Sequence, residues 1–332
     1  MMKNHQFSIR KMILRRSYIK INILSLILII SIFLLFIYLF MPFLCSSKEH
    51  NLSKYNKSKY RLIVLVLSGI DHLEHRDTIR KTWLSEKYID VKYLFALGTL
   101  NIHPSQRITL DSEQQKFNDL LFLPNLQDTY GTITKKVLQS FFHIQNEYDF
   151  DFILKCDDDS FVLISRILRE LERWEREGTK KYLYWGFFNG KAQVKRSGPW
   201  KETEWIMCDN YLPYALGGGY ILSYKLVEFI AKNAEHLKLY NSEDVSVGLW
   251  LAPVANIERR HDVRFDTEYR SRGCSNQYLI THKQTIDNMR NLHEFFQSNG
   301  ILCSKEIQRR MSYQYNWTVP PSQCCNRQSG IP

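Results

Sequence analysis

The chain has 332 residues, 44% hydrophobic and 14% aromatic, which excludes wholesale disorder and suits one large domain or two small ones. Its formal charge of +11 is uneven: six basic residues and no acid precede residue 21, leaving 39 basic against 34 acidic residues after it. That near balance removes most of the support for a nucleic-acid partner.

Residues 21–44, "INILSLILIISIFLLFIYLFMPFL", carry no charge and are long enough for one bilayer crossing. Lys3, Arg10, Lys11, Arg15, Arg16 and Lys20 precede the run, and positive flanks stay cytoplasmic. A cleaved signal peptide would need a shorter apolar core and a small-x-small cleavage site, and neither is evident. The sequence therefore predicts a cytoplasmic tail at 1–20, a transmembrane signal-anchor at 21–44 and a lumen-facing remainder, although Lys48, Lys54, Lys57 and Lys59 make the far flank basic too. Residues 45–59 read as a polar stem. Of seven cysteines, Cys45 sits at the membrane edge. The other six, Cys156, Cys208, Cys274, Cys303, Cys324 and Cys325, form an even set that predicts disulfides without fixing their pairing. Sequons at Asn51, Asn56 and Asn316 fit the same orientation.

Order begins at "RLIVLVLSG", an apolar run of strand length that ends in a turn signal. "RDTIRKTWLSEKY" has helical spacing, "VKYLFALG" reads as a strand, "SEQQKFNDL" as a helix and "LLFLP" as a strand. "GTITKKVLQSFFHIQNEY" is a longer amphipathic helix, and "FDFILKC" is another buried strand. Strands alternating with helices predict parallel βαβ units in one α/β domain over 60–332.

Immediately after the last of these strands comes "DDD". Ligands of such sheets lie beyond the carboxyl ends of the strands. In extended backbone alternate side chains share a face, so Asp157 and Asp159 point one way and Asp158 the other. One carboxylate can then hold a divalent cation, manganese or magnesium, that bridges a diphosphate leaving group, while another bonds a ribose hydroxyl or a metal-bound water. The plain alternative is a solvated acidic turn or helix cap. In "NSEDVSVGLWL", Glu243 and Asp244 are either favourable charges at a helix start or a general base. In "LPYALGGGYILS", Gly217, Gly218 and Gly219 allow close approach to a ligand or make a tight turn. No phosphate-cradling P-loop pattern follows them.

"RDTIRKTW", "KCDDDSF", "YALGGGYILS" and "EDVSVGLWL", in that order, resemble the β1,3-glycosyltransferase family that holds the β1,3-galactosyltransferases and the Fringe enzymes. "YLYWGFF", "HDVRFDTEYRSRGCSNQYLITHKQ" and "PPSQCCNRQSGIP" resemble members that build the proteoglycan linkage region. The resemblance implies a GT-A (Rossmann-like) fold: a mixed, mainly parallel sheet flanked by helices, preceded by the membrane anchor. It implies a Golgi type II membrane protein, inverting transfer from UDP-galactose, and Mn2+. The acceptors implied are xylosylated, galactosylated core proteins of proteoglycans, and assembly with other Golgi enzymes is possible.

By the same resemblance Asp159 is the direct metal ligand within Asp157–Asp159. Asp244 is the base with Glu243 as fallback, and His282 completes the metal shell with His261 as rival. Arg76, Arg80, Asp128 and Lys136 fall in motifs that resemble nucleotide-sugar contacts, as do Asp157, Asp158 and the three glycines. Thr132 departs from the family, which often has Asn there. Read from spacing alone, Arg76 and Arg80 could instead be a solvated helix face. Other readings are a β1,3-glycosyltransferase of different sugar choice and a catalytically silent lectin or chaperone on the same fold.

Overall fold

A computed structural model describes residues 26, 28–36, 59–178 and 181–331. The predicted tail, most of the predicted membrane span and stem, Cys45, Asn51 and Asn56 lie outside the described residues. Residues 28–36 are helical with exposed side chains. Among the described residues no helix is long and apolar enough to cross a membrane. Residues 1–56 and 57–332 form separate units, and the second holds everything that follows.

The first half of that unit runs β1 (Lys59–Leu67), α1 (Leu73–Lys81), β2 (Val91–Gly98), α2 (Pro104–Phe117), β3 (Leu120–Leu123), α3 (Ile133–Glu147) and β4 (Asp149–Asp157). The second half runs β5 (Phe161–Val162), α4 (Ile164–Arg176), β6 (Tyr182–Asn189), β7 (Tyr214–Ser223), α5 (Tyr224–Lys232), α6 (Glu243–Trp250) and β8 (Ile257–His261). It continues with β9 (Phe265–Asp266), β10 (Gly273–Cys274), β11 (Ile280–Thr281), α7 (Ile286–Asn299) and β12 (Ile307–Gln308).

Seven strands form one sheet in the order β3-β2-β1-β4-β7-β6-β8. β1 pairs parallel with β2 and β4, and β2 with β3. β7 alone is reversed, antiparallel to β4 and β6. The sheet is therefore mixed and mainly parallel. The middles of its central strands are mostly apolar, as burial on both faces favours: Leu62 to Val66, Ile153, Leu154, Ile221 and Leu222 have no exposed surface. α3 packs on α5 and α6, and α1 on α7.

α2 begins at Pro104, earlier than the hydrophobic pattern predicts. Its start is set by chemistry rather than by an apolar stripe. His103 accepts from the Ser105 N–H, Gln106 accepts from the His103 N–H, and Pro104 occupies the first turn. The three glycines do not make a turn; they lie within β7.

The even cysteine set does not pair completely. Cys274 bonds Cys303 and Cys324 bonds Cys325, while Cys156 and Cys208 are free thiols. Cys156 is enclosed in β4 and Cys208 sits on an exposed loop.

Candidate active site

β4 carries Asp157 to the carboxyl end of the parallel strands, in register with Leu67 at the end of β1. The chain then turns, with the Ser160 N–H donating to the Asp157 carbonyl at 3.2 Å, and enters β5. β5 pairs antiparallel with β11, so that Thr281 faces Phe161 and the next residue, His282, lands beside the acidic turn. His282 Nε2 lies 3.0 Å from Asp159 Oδ1 and 3.4 Å from Asp157 Oδ2. Among the described residues these three form the group able to hold a metal ion, with ligand atoms all within 4.8 Å of one another.

His282 Nδ1 is buried without a hydrogen-bond partner, while its Nε2 and the buried Asp159 Oδ1 face each other as an ion-pair contact. Buried polar atoms normally have a hydrogen-bond partner. Two carboxylates and an imidazole with open valences fit a divalent cation of the manganese type. Burial by itself would lower the His282 pKa, but the two carboxylates outweigh it and raise it to about 9. Burial would likewise raise Asp157, yet Lys155 and His282 hold it well below the usual carboxylate range. Lys283, in the left-handed region at φ 60°, adds its Nζ at 2.9 Å from Asp159 Oδ2.

His261 is not an alternative ligand. Its Nδ1 accepts from the Phe188 N–H at 3.1 Å and its Nε2 meets the Tyr313 carbonyl at 2.9 Å, so both nitrogens are engaged. Burial against Phe187 and Tyr313 drives its pKa down to about 4.

The antiparallel pairing of β7 with β4 brings the glycines to the same end of the sheet, with Gly219 opposite Cys156. A Cβ on Gly218 would stand 2.7 Å from the His282 ring, and one on Gly217 would stand 2.8 Å from Glu243 Oε1. The glycines thus let the strand pass between the metal-type cluster and the start of α6. Gly219 meets Ile280 instead.

Asp244 hangs on this strand. Its Oδ2 accepts the Gly217 N–H at 2.9 Å and its Oδ1 accepts the Val245 N–H at 2.8 Å. It is half-buried, whereas Glu243 is buried, with Oε1 bonded to Lys155 and Oε2 unpartnered. Burial pushes both carboxyls up, against the opposing pull of Lys155.

Lys155 itself escaped the motif reading. It has no exposed surface, and its Nζ joins Asp157 Oδ1 at 2.9 Å, the Gly217 carbonyl at 2.7 Å, and Glu243. The signal was available: a lysine inside the apolar run "FDFILKC" must be paired if buried, and alternation puts it on the face of Asp157.

Asp158 turns the other way and accepts from Ser68 Oγ at 2.8 Å, with His72 Nδ1 also at 2.8 Å. That bond raises the His72 pKa. Arg76 and Arg80 are not a solvated face. Arg76 is fully buried and grips Glu113 with Nε and Nη2, each at 2.8 Å. Arg80 bonds Glu113, Asp119 and Asp77, and stacks over Phe95 and Phe117. Lys136 is buried, with its Nζ at 2.7 Å from Asp128 Oδ1 and 2.6 Å from the Ser68 carbonyl. Asp128 also accepts the Gly98 N–H. Thr132 closes the turn ahead of α3 by donating to the Gln127 carbonyl at 2.7 Å.

The sequence model of the family described as "Galactosyltransferase" matches residues 74–263, more than half of the chain. The mouse protein "Beta-1,3-galactosyltransferase 6" is 47% identical over 280 residues, covering 83% of this chain and 86% of its own. The chain belongs to the galactosyltransferase family. "Hydroxyproline O-galactosyltransferase GALT2" of Arabidopsis thaliana is 32% identical over 240 residues, 69% of this chain but 34% of the plant protein. "UDP-GalNAc:beta-1,3-N-acetylgalactosaminyltransferase 2" of Danio rerio is 37% identical over 145 residues, 44% of this chain and 29% of its own. Within the galactosyltransferase match lie Arg76, Asp128, the acidic triplet, Glu243 and Asp244. His282 lies beyond it and reaches the cluster through β11.

Proposed function

We propose that the chain is an inverting β1,3-galactosyltransferase of GT-A type, with UDP-galactose as donor, manganese as cofactor and the galactose of a galactosyl-xylosyl protein as acceptor. One observation carries this reading: Asp157, Asp159 and His282 converge on one side of Gly217–Gly218, and the half-buried Asp244 hangs on the other. Asp157, Asp159 and His282 would hold the cation, which supplies charge stabilisation to a departing diphosphate. Asp158, fixed through Ser68 and His72, is available to the donor's ribose side. Asp244 takes the proton of the attacking acceptor hydroxyl. Two backbone N–H groups fix both its oxygens, and burial raises its basicity above that of a free carboxylate. Attack opposite an α-linked leaving group yields a β product. Glu243 balances Lys155 and keeps α6 against β4.

The mouse relative supports β1,3-galactosyl transfer, and the linkage-region acceptor rests on the resemblance of the segments quoted above. The basic amino-terminal flank and apolar run support a single-pass anchor with the catalytic unit in the Golgi lumen.

The test is an initial-rate assay of the full chain with UDP-galactose and a β-galactosyl-xyloside. Rates are compared with manganese and with EDTA, and with UDP-N-acetylgalactosamine as rival donor. The reading requires a β1,3-linked digalactosyl product that EDTA abolishes. Transfer of only the rival sugar, or none, overturns it. A carboxy-terminal tag digested in sealed vesicles without detergent overturns the luminal orientation.

A further inference from the structure

Two large aromatic side chains stand in the open beside the proposed site, and the chemistry above uses neither. Trp200 is 39% exposed and Tyr269 is 69% exposed. Exposed apolar surface of this kind marks a binding site when it is grouped and anchored, and this pair is both.

Trp200 lies in the loop between β6 and β7 and is tied to the segment just before the base. It sits in a tight turn set by Gly198 at φ 80°, where the Lys201 N–H donates to the Gly198 carbonyl at 3.1 Å. Asn241 clips that turn, its Nδ2 donating to the carbonyls of Pro199 at 3.0 Å and Lys201 at 3.1 Å. The Asn241 N–H donates to Glu202 Oε2 at 2.8 Å. Three residues on is Asp244.

Tyr269 rides on the metal side. It follows β9, which pairs with β11, and the His282 N–H donates to the Asp266 carbonyl at 3.0 Å. Lys283 Nζ lies 6.0 Å from the centre of the Tyr269 ring and 2.9 Å from Asp159 Oδ2. The two rings then meet edge to face, with centroids 5.9 Å apart and planes at 80°. Their contact links the Lys283 side of the cluster to the turn that Asn241 clips, three residues before Asp244.

An edge-to-face pair covers one face of one ring only, and the faces that remain open are negatively polarised. A pyranose offers the complement: one face of polarised C–H groups with hydroxyls around its rim. We propose that Trp200 and Tyr269 form the acceptor platform, stacking on the apolar face of a pyranose so that a rim hydroxyl is presented to Asp244. The inference rests on the galactosyltransferase reading and deepens it: the acceptor is a glycoside, not the hydroxyl of an amino-acid side chain.

The full chain is compared with Trp200→Ala, Tyr269→Ala and Trp200→Tyr, with β-galactosyl-xyloside varied at saturating UDP-galactose and manganese. Each alanine variant raises the acceptor KM about tenfold, the effect of losing one good stacking contact. Trp200→Tyr recovers most of the loss, and kcat at saturating acceptor changes less than about threefold. Calorimetric UDP affinity reports whether the fold persists. Saturation-transfer NMR with UDP and magnesium reports glycoside contact independently of turnover.

An unchanged KM, or a parallel loss of kcat and UDP affinity without rescue by tyrosine, overturns the platform and leaves galactosyl transfer standing. Ring-to-sugar transfer that Trp200→Ala abolishes, in a chain that does not turn over, supports the platform and overturns galactosyl transfer. Galactosylation of a serine or hydroxyproline peptide in preference to the glycoside overturns the platform, and neither contact nor turnover overturns both.

Discussion

On the side of β1 and β2, the polar groups around the cluster pair with one another. Arg76 and Arg80 close on Glu113, Lys136 on Asp128, and Ser68 and His72 on Asp158. On the side of β7 and α6, the carboxylate of Asp244 is held by main-chain N–H groups, and the surroundings are aromatic: Trp205, Tyr211, Tyr214 and Tyr240 pack in one cluster with Val245, the residue after the base. A charged partner suits the first side, where dipoles and ions are fixed in advance and need no reorganisation. An uncharged partner with an apolar face suits the second. Lys155 joins the two sides by bonding Asp157 with one hydrogen and Glu243 with another.

The comparison breaks most sharply at the base. Asp244→Asn keeps the shape, but its one amide oxygen can accept only one of the two N–H bonds and cannot take a proton. Transfer should fall by about 10²–10⁴, the range for general-base catalysis, while calorimetric UDP–manganese affinity stays near wild type. Glu243→Gln should be milder. Substantial turnover in Asp244→Asn with none in Glu243→Gln reverses the assignment. Activity in both makes this segment a helix start only.

Next comes the join. Lys155→Met removes the cation from between two buried or half-buried carboxylates. Breaking a buried pair from one side costs about 3–5 kcal/mol, to be read as the shift in a urea unfolding curve. A shift under about 1 kcal/mol would mean that the two sides are held together elsewhere.

Legibility in the sequence follows the same division. β1, β2, β3 and β4 announce themselves as apolar runs because each is buried on both faces, and α3 because its apolar stripe is continuous. β5, β9 and β11 span two residues each, too short for any periodicity, yet they bring His282 to the acidic turn. Only resemblance could point to His282, and only the structure separates it from His261, whose two nitrogens are occupied by main chain. Spacing located Glu243 and Asp244 but left their roles open. The difference is one of burial and partner: Lys155 for one, Gly217 for the other. Arg76 and Arg80 looked solvated because Glu113 lies on a helix whose apolar signal is weak.

The metal-type cluster belongs to both sides, since Asp157 ends β4, Asp159 lies in the turn after it and His282 follows β11. Asp159→Asn removes one anionic ligand and should lower activity about a hundredfold at limiting manganese, the loss expected from deleting one transition-state stabiliser. The protein should still unfold cooperatively, because Asp159 is partly exposed and lies in a turn. Wild-type rates at limiting manganese would reduce the triplet to a surface loop.

The smallest effect sharpens the comparison through pH. Burial raises Asp244 above the ordinary carboxylate range, and Lys155 and two N–H groups offset this only in part. As base it must be unprotonated, so a raised pKa shifts the acid limb of kcat upward. Rate should therefore increase as pH rises through that limb, losing about tenfold for each unit below it. A free carboxylate would place the limb near pH 4. UDP affinity measured over the same range separates the causes. If the limb belongs to Asp244, affinity at saturating manganese stays flat where kcat falls, since Asp244 is bonded to Gly217 and Val245 and not to the cluster. If affinity falls with kcat, protons are competing for the cluster, and the pH dependence belongs to the metal ligands instead.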